Sequence, residues 1–121
     1  MLMPTQLATK IGRLVASSGF LTIGQLSQRD DMRPYFKGAT FVLAARNLLL
    51  WGPISWALAE ALVHAQRAGW VTIIPHQLDR FLAIGDGTGR LPPFPHAARV
   101  RGYARLRWLP VVLVPGPKPV P

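Results

Sequence analysis

Apolar positions concentrate between residues 37 and 70, KGATFVLAARNLLLWGPISWALAEALVHAQRAGW, and their density there predicts one long helix. About thirty helical residues reach about 45 Å, more than a hydrocarbon core of about 30 Å requires. Gly52 and Pro53 interrupt the run. In lipid they are tolerated as a kink, whereas in water they more often separate two helices. Arg46 and Glu60 are costly at membrane depth. Upstream, Leu7, Ile11, Leu14 and Val15 recur at helical spacing, with Lys10 and Arg13 on the other side, which predicts a short amphipathic helix over 5–15. Residues 20–23 read as a brief edge strand and 24–34 as a polar loop. Downstream, 71–74 and 81–84 are short apolar segments, Gly85, Gly87 and Gly89 mark a turn, and the proline-rich remainder reads as extended chain.

The predicted fold class is mainly α, with no independent globular core. A basic amino-terminal arm (1–36) leads into a kinked transmembrane helix (37–70), and an extended proline-rich tail follows (71–121). Composition agrees with that picture. Half of the 121 residues are hydrophobic, yet fourteen Lys and Arg against five acids leave a net charge of +9. High apolarity with high basicity suits a small subunit of a membrane or ribonucleoprotein assembly. Arg29, Arg33, Lys37 and Arg46 precede or enter the apolar run, against Arg67 and Arg80 beyond it. That bias places the amino terminus on the cytoplasmic or matrix side, with Trp51 and Trp56 packing against neighbouring helices. The first 29 residues carry no acid, the composition of a mitochondrial targeting segment.

Candidate chemistry is sparse. With no cysteine there is neither a disulfide framework nor a thiolate metal site. Glu60 and His64, four apart, lack a third ligand, and Asp30 and Asp31 are adjacent and diverge. Residues 85–90, GDGTGR, lack the Lys-Ser/Thr end of a phosphate loop, and His76 and His96 have no triad partner in sequence. No catalytic residue, cofactor or metal is therefore expected, and the chain reads as a non-enzyme. The segment 99–107, with Arg99, Arg101, Arg105 and Arg107 near Tyr103 and Trp108, is the candidate for nucleic acid. Acidic lipid headgroups or an acidic partner surface are the competing ligands for it.

Leu26-Ser27-Gln28-Arg29, then seven residues, Lys37-Gly38, Val42-Leu43, Arg46 and a proline sixteen residues past the lysine follow one another in order. Over residues 12–70 this plan resembles the subunit 8 family, the ubiquinone-binding protein, of the mitochondrial cytochrome bc1 complex. The resemblance implies a non-catalytic accessory subunit of respiratory complex III, in the inner membrane with its amino terminus in the matrix. It further implies packing on a cytochrome b-like core and on lipid, with haem and quinone chemistry left to other subunits. The alternative is a basic structural protein of a mitoribosome-like RNA particle.

Overall fold

The computed structural model describes residues 1–76 and 95–121. Helix α1 spans Pro4–Ser18, and Leu7, Ala8, Ile11 and Val15 form its buried stripe. Proline at its first position needs no donor there. Gly19, at φ 82°, ends the helix by donating its N–H to the Val15 carbonyl at 2.8 Å. Strand β1 (Leu21–Thr22) runs directly into α2 (Ile23–Ser27). Thr22 Oγ1 accepts from the Gln25 N–H at 3.0 Å, and Gln25 Oε1 accepts from the Thr22 N–H at 2.9 Å. This reciprocal capping box makes a helical turn of residues expected to be loop.

The expected helix over 37–70 is three elements instead. A 3-10 turn (Arg33–Phe36) leads to strand β2 (Thr40–Ala45), strand β3 (Leu48–Ile54) and helix α3 (Trp56–Arg67). Strands β2 and β3 form an antiparallel hairpin in which Ala45 faces Leu48 and Thr40 faces Ile54, with shifts of register between. Leu48 to Trp51 are all buried, and an apolar run buried on both faces has no period that tells strand from helix. Gly52 and Pro53 are thus part of β3 and not a helix kink. Helix α3 starts only past the proline, where Ser55 Oγ accepts the Leu58 N–H at 3.2 Å.

Strand β4 (Val71–Pro75) follows, then β5 (Arg107–Trp108) and β6 (Val111–Pro115). Two three-stranded sheets result, ordered β1-β6-β4 and β2-β3-β5. Strand β6 pairs antiparallel with both neighbours, and its Val111, Val112 and Leu113 are buried, so the carboxy-terminal stretch supplies a central strand where a tail was expected. A contiguous core joins Leu7, Ile11 and Val15 of α1, Leu58, Leu62 and Ala65 of α3, Ile54 of β3 and Leu113 of β6. The mainly α fold without a core is corrected to a mixed α/β fold built around one. No helix among the described residues is long and apolar enough to cross a membrane. The transmembrane expectation falls with it, and so does placement in the mitochondrial inner membrane with a matrix-facing amino terminus.

Beyond β6 the chain packs back on the helices. Lys118 N–H donates to the Gly69 carbonyl at 2.9 Å, Arg13 Nη2 to the Pro121 carbonyl at 2.8 Å, and Val120 lies against Gly12. A β-carbon on Gly116 would overlap the Gly69 carbonyl, a backbone group with no room to yield. Gly116→Ala should lower stability by about 2 kcal/mol, read from thermal or urea unfolding.

Midway along α1, Lys10 Nζ lies 2.9 Å from Asp31 Oδ2, and Arg29 Nε lies 3.1 Å from Asp31 Oδ1. Hydrogen bonds from Lys10 and then Arg29 hold the Asp31 carboxyl well below its ordinary 3.8, at about 2. A depressed folded pKa contributes stability above the unfolded value and loses it as pH falls through the folded one. The window is therefore between about 4 and about 2. Solvent screening of this half-exposed pair keeps the effect of Asp31→Asn near 0.5 kcal/mol at neutral pH. The variant's unfolding midpoint should converge on the wild type's toward pH 2, a convergence visible in melts across that range.

Candidate functional site

Asn47 is the residue on which the site is assembled. It occupies the β2–β3 turn at φ 55°, a left-handed conformation that asparagine tolerates better than most side chains. Its Nδ2 donates to the Tyr103 carbonyl at 2.9 Å, and its own carbonyl accepts the Arg107 N–H at 2.8 Å. The adjacent Arg46 carbonyl accepts the Tyr103 N–H at 2.9 Å. Three hydrogen bonds thus fasten residues 103–107 to a hairpin tip more than fifty positions earlier in the chain. From there β5 runs parallel to β3, with Leu48 opposite Arg107 and Leu49 opposite Trp108. Strand alternation turns Trp108 into the core and Arg107 to solvent. Ala97 N–H to the Trp108 carbonyl at 2.7 Å, and Trp108 N–H to the Pro95 carbonyl at 3.0 Å, bring residues 95–99 alongside.

The result is an open concavity of about 380 Å³ lined by His96, Ala97, Ala98, Arg99, Arg101, Tyr103 and Arg107. The Arg101 guanidinium carbon lies 4.9 Å from the Tyr103 ring centroid, and that of Arg107 lies 5.2 Å from it. The electron-rich ring holds the two cations apart from solvent-driven disorder, at about 0.5–1 kcal/mol for each exposed contact. Tyr103 Oη donates to the Arg99 carbonyl at 3.0 Å, which keeps the ring in place. Arg46 is exposed at the hairpin tip beside this rim, its β-carbon close to Gly102. Among the described residues no acid lines the concavity, and the described carboxylates stand elsewhere. Asp30 and Asp31 are engaged with Arg33, Arg29 and Lys10, and Glu60 is exposed on α3.

Of the residues expected to mark a membrane boundary, Arg46 alone lies beside this rim. Arg29 and Arg33 make local ion pairs at 3.1 and 3.2 Å, and Lys37 is exposed shortly before β2. Trp51 is in the core of β3, whereas Trp56 is 62 % exposed at the first turn of α3. Trp108, paired in sequence with the arginines, is buried and is not part of the exposed surface. His64 packs its ring edge-on to Trp70 at 5.3 Å, and the described residues hold no group of three potential metal ligands. His76 donates its backbone N–H to the Pro110 carbonyl. Residues 81–84 and the GDGTGR segment lie outside the described residues.

The organising Asn47 was missed, although an asparagine between two apolar runs is a turn signal. Comparison with protein-family models, curated proteins and solved structures finds no match for this chain. The resemblance to the cytochrome bc1 subunit rested on a continuous helix, and its landmarks Lys37, Arg46 and Pro53 fall before, between and within two strands.

Substitution of Asn47 separates its two roles. Asn47→Gly keeps the left-handed turn and loses the side-chain bond, whereas Asn47→Ala loses both and should cost about 1–2 kcal/mol more than Asn47→Gly. Hydrogen exchange at the Tyr103 and Arg107 amides should accelerate in both variants, and faster in Asn47→Ala.

Proposed function

We propose that the chain is a non-enzymatic nucleic-acid-binding protein whose basic rim, Arg46, Arg99, Arg101 and Arg107, receives backbone phosphates. The observation that carries this reading is the grouping of Arg99, Arg101 and Arg107 around one concavity, beside the hairpin tip that bears the exposed Arg46, with no carboxylate among the described residues that line it, in a chain of net charge +9. Like charges gathered at a surface repel one another, and a polyanion relieves that repulsion while releasing its own condensed counterions. Arginine suits the task because its planar fork pairs with two phosphate oxygens at once. The reading keeps the nucleic-acid alternative expected for residues 99–107. It relocates that ligand from a free tail to a folded rim that includes the hairpin tip. Packing on a cytochrome b-like core and on lipid, by contrast, has lost the spanning helix that supported it.

Fluorescence anisotropy with a labelled oligonucleotide tests the proposal. Affinity should fall steeply with salt, by about 0.7 logarithmic units per phosphate contacted for each tenfold rise in a single strand. Arg101→Glu should weaken binding at least tenfold and reduce that slope, while Arg67→Glu on α3 should act weakly. Binding to vesicles of anionic phospholipid, lost in Arg101→Glu, with no measurable oligonucleotide binding, would overturn the reading in favour of a lipid surface.

A further inference from the structure

Among the described strands β2 is the outer one of its sheet, and it exposes large apolar side chains. Phe41 is 43 % and Leu43 55 % exposed, while Val42 between them is buried. One end of the strand is the Arg46-Asn47 tip, where Tyr103 and its flanking arginines are fastened. At the other end Thr40 faces Ile54, two residues before the exposed Trp56, with Lys37 three residues before the strand begins. The six residues of β2 span about 20 Å at about 3.3 Å per residue. The exposed Phe41 and Leu43 thus lie as a strip on a strand that leads from the hairpin tip toward the turn before Trp56, with Arg46 just past one end and Lys37 shortly before the other.

We propose that the ligand is a single-stranded nucleic acid, its phosphates on Arg46, Arg101 and Arg107 and its bases stacked on Phe41 and Trp56 along this outer strand. The inference rests on the nucleic-acid reading above and selects the form of the ligand. In a duplex the base faces are covered by one another, whereas a single strand offers them to aromatic side chains. The helices supply no competing surface for a groove. On α1, Lys10 is paired with Asp31 and Arg13 holds the Pro121 carbonyl. On α3, Arg67 and His64 share the exposed surface with Glu60, so neither of the two long described helices presents a row of cations to a major groove. Every base has a π-face, so the strip predicts tolerance of sequence and preference for strandedness.

The test compares an oligothymidylate of about 15 nucleotides with a duplex of equal length, using the full chain and anisotropy. The wild type should favour the single strand. Phe41→Ala and Trp56→Ala should each lower single-strand affinity about tenfold and leave duplex affinity unchanged, while Phe41→Tyr and Trp56→Phe retain it. Addition of the oligothymidylate should quench the solvent-exposed part of the tryptophan emission, and Trp56→Phe should remove that quenching. A wild type that binds duplex as tightly as single strand, or Ala variants that fold and bind the single strand normally, would overturn the strip and leave the basic rim standing. Indifference to Arg101→Glu in both ligands would remove the rim, and the strip with it. Should an Ala variant fail to fold, the quenching of Trp56 in the wild type decides: emission unchanged at saturating oligothymidylate overturns the stacking.

Discussion

Strand β3 is the constraint from which the rest of the structure follows. Leu48 to Trp51 are buried without a break, so this strand must be covered on both faces and paired on both edges. One edge is met locally by β2 through a tight turn. The other is met by β5, which arrives in parallel from almost sixty residues later. That second pairing is what carries the arginines of residues 99–107 to the hairpin tip. A strand that requires a distant neighbour thereby gathers charge that the chain order keeps apart.

The distribution of charge follows a similar division. The acids beside α1 are consumed by local ion pairs, with Lys10 and Arg29 on Asp31 and Arg33 on Asp30. These exposed pairs contribute little individually, and among the described residues no carboxylate is left to line the strand-borne concavity. At that surface Tyr103 takes the place of an acid. Its ring faces two guanidiniums, and its backbone is pinned by Arg46 and Asn47. A ring steadies cations without neutralising them, so the rim keeps its charge for an external anion. The same residues that close the fold at the hairpin tip thus hold the site open.

Much of the local structure was legible. The 3.6-residue stripe of α1 appears where Leu7, Ile11 and Val15 predict it, because only that spacing buries them together. Thr22 and Gln25 also spell a capping box, and reading them as loop overlooked a signal that was present. The error over residues 37–70 has a different origin. The run LLLW satisfies a helix and a doubly buried strand equally, and in FVLAA the lack of polar alternation and the small residues Ala44 and Ala45 weigh toward helix. Pro53 followed by Ser55 is the feature that distinguishes them, since serine caps a helix that starts there and proline obstructs one that passes through.

By itself the sequence determined the amphipathic first helix, the excess of positive charge, the arginine segment and the lack of thiol chemistry, because each depends on residue identity or short-range spacing. Tertiary structure alone decided that the most apolar stretch would be a hairpin followed by a helix, that the proline-rich end would supply the central strand β6, and that the hairpin tip at Arg46 and Asn47 would hold Tyr103 and Arg107. The reason is the range of the interaction. Backbone hydrogen bonds of a helix close within four residues, whereas those of β3 with β5, and of β6 with β1 and β4, close only between segments tens of residues apart.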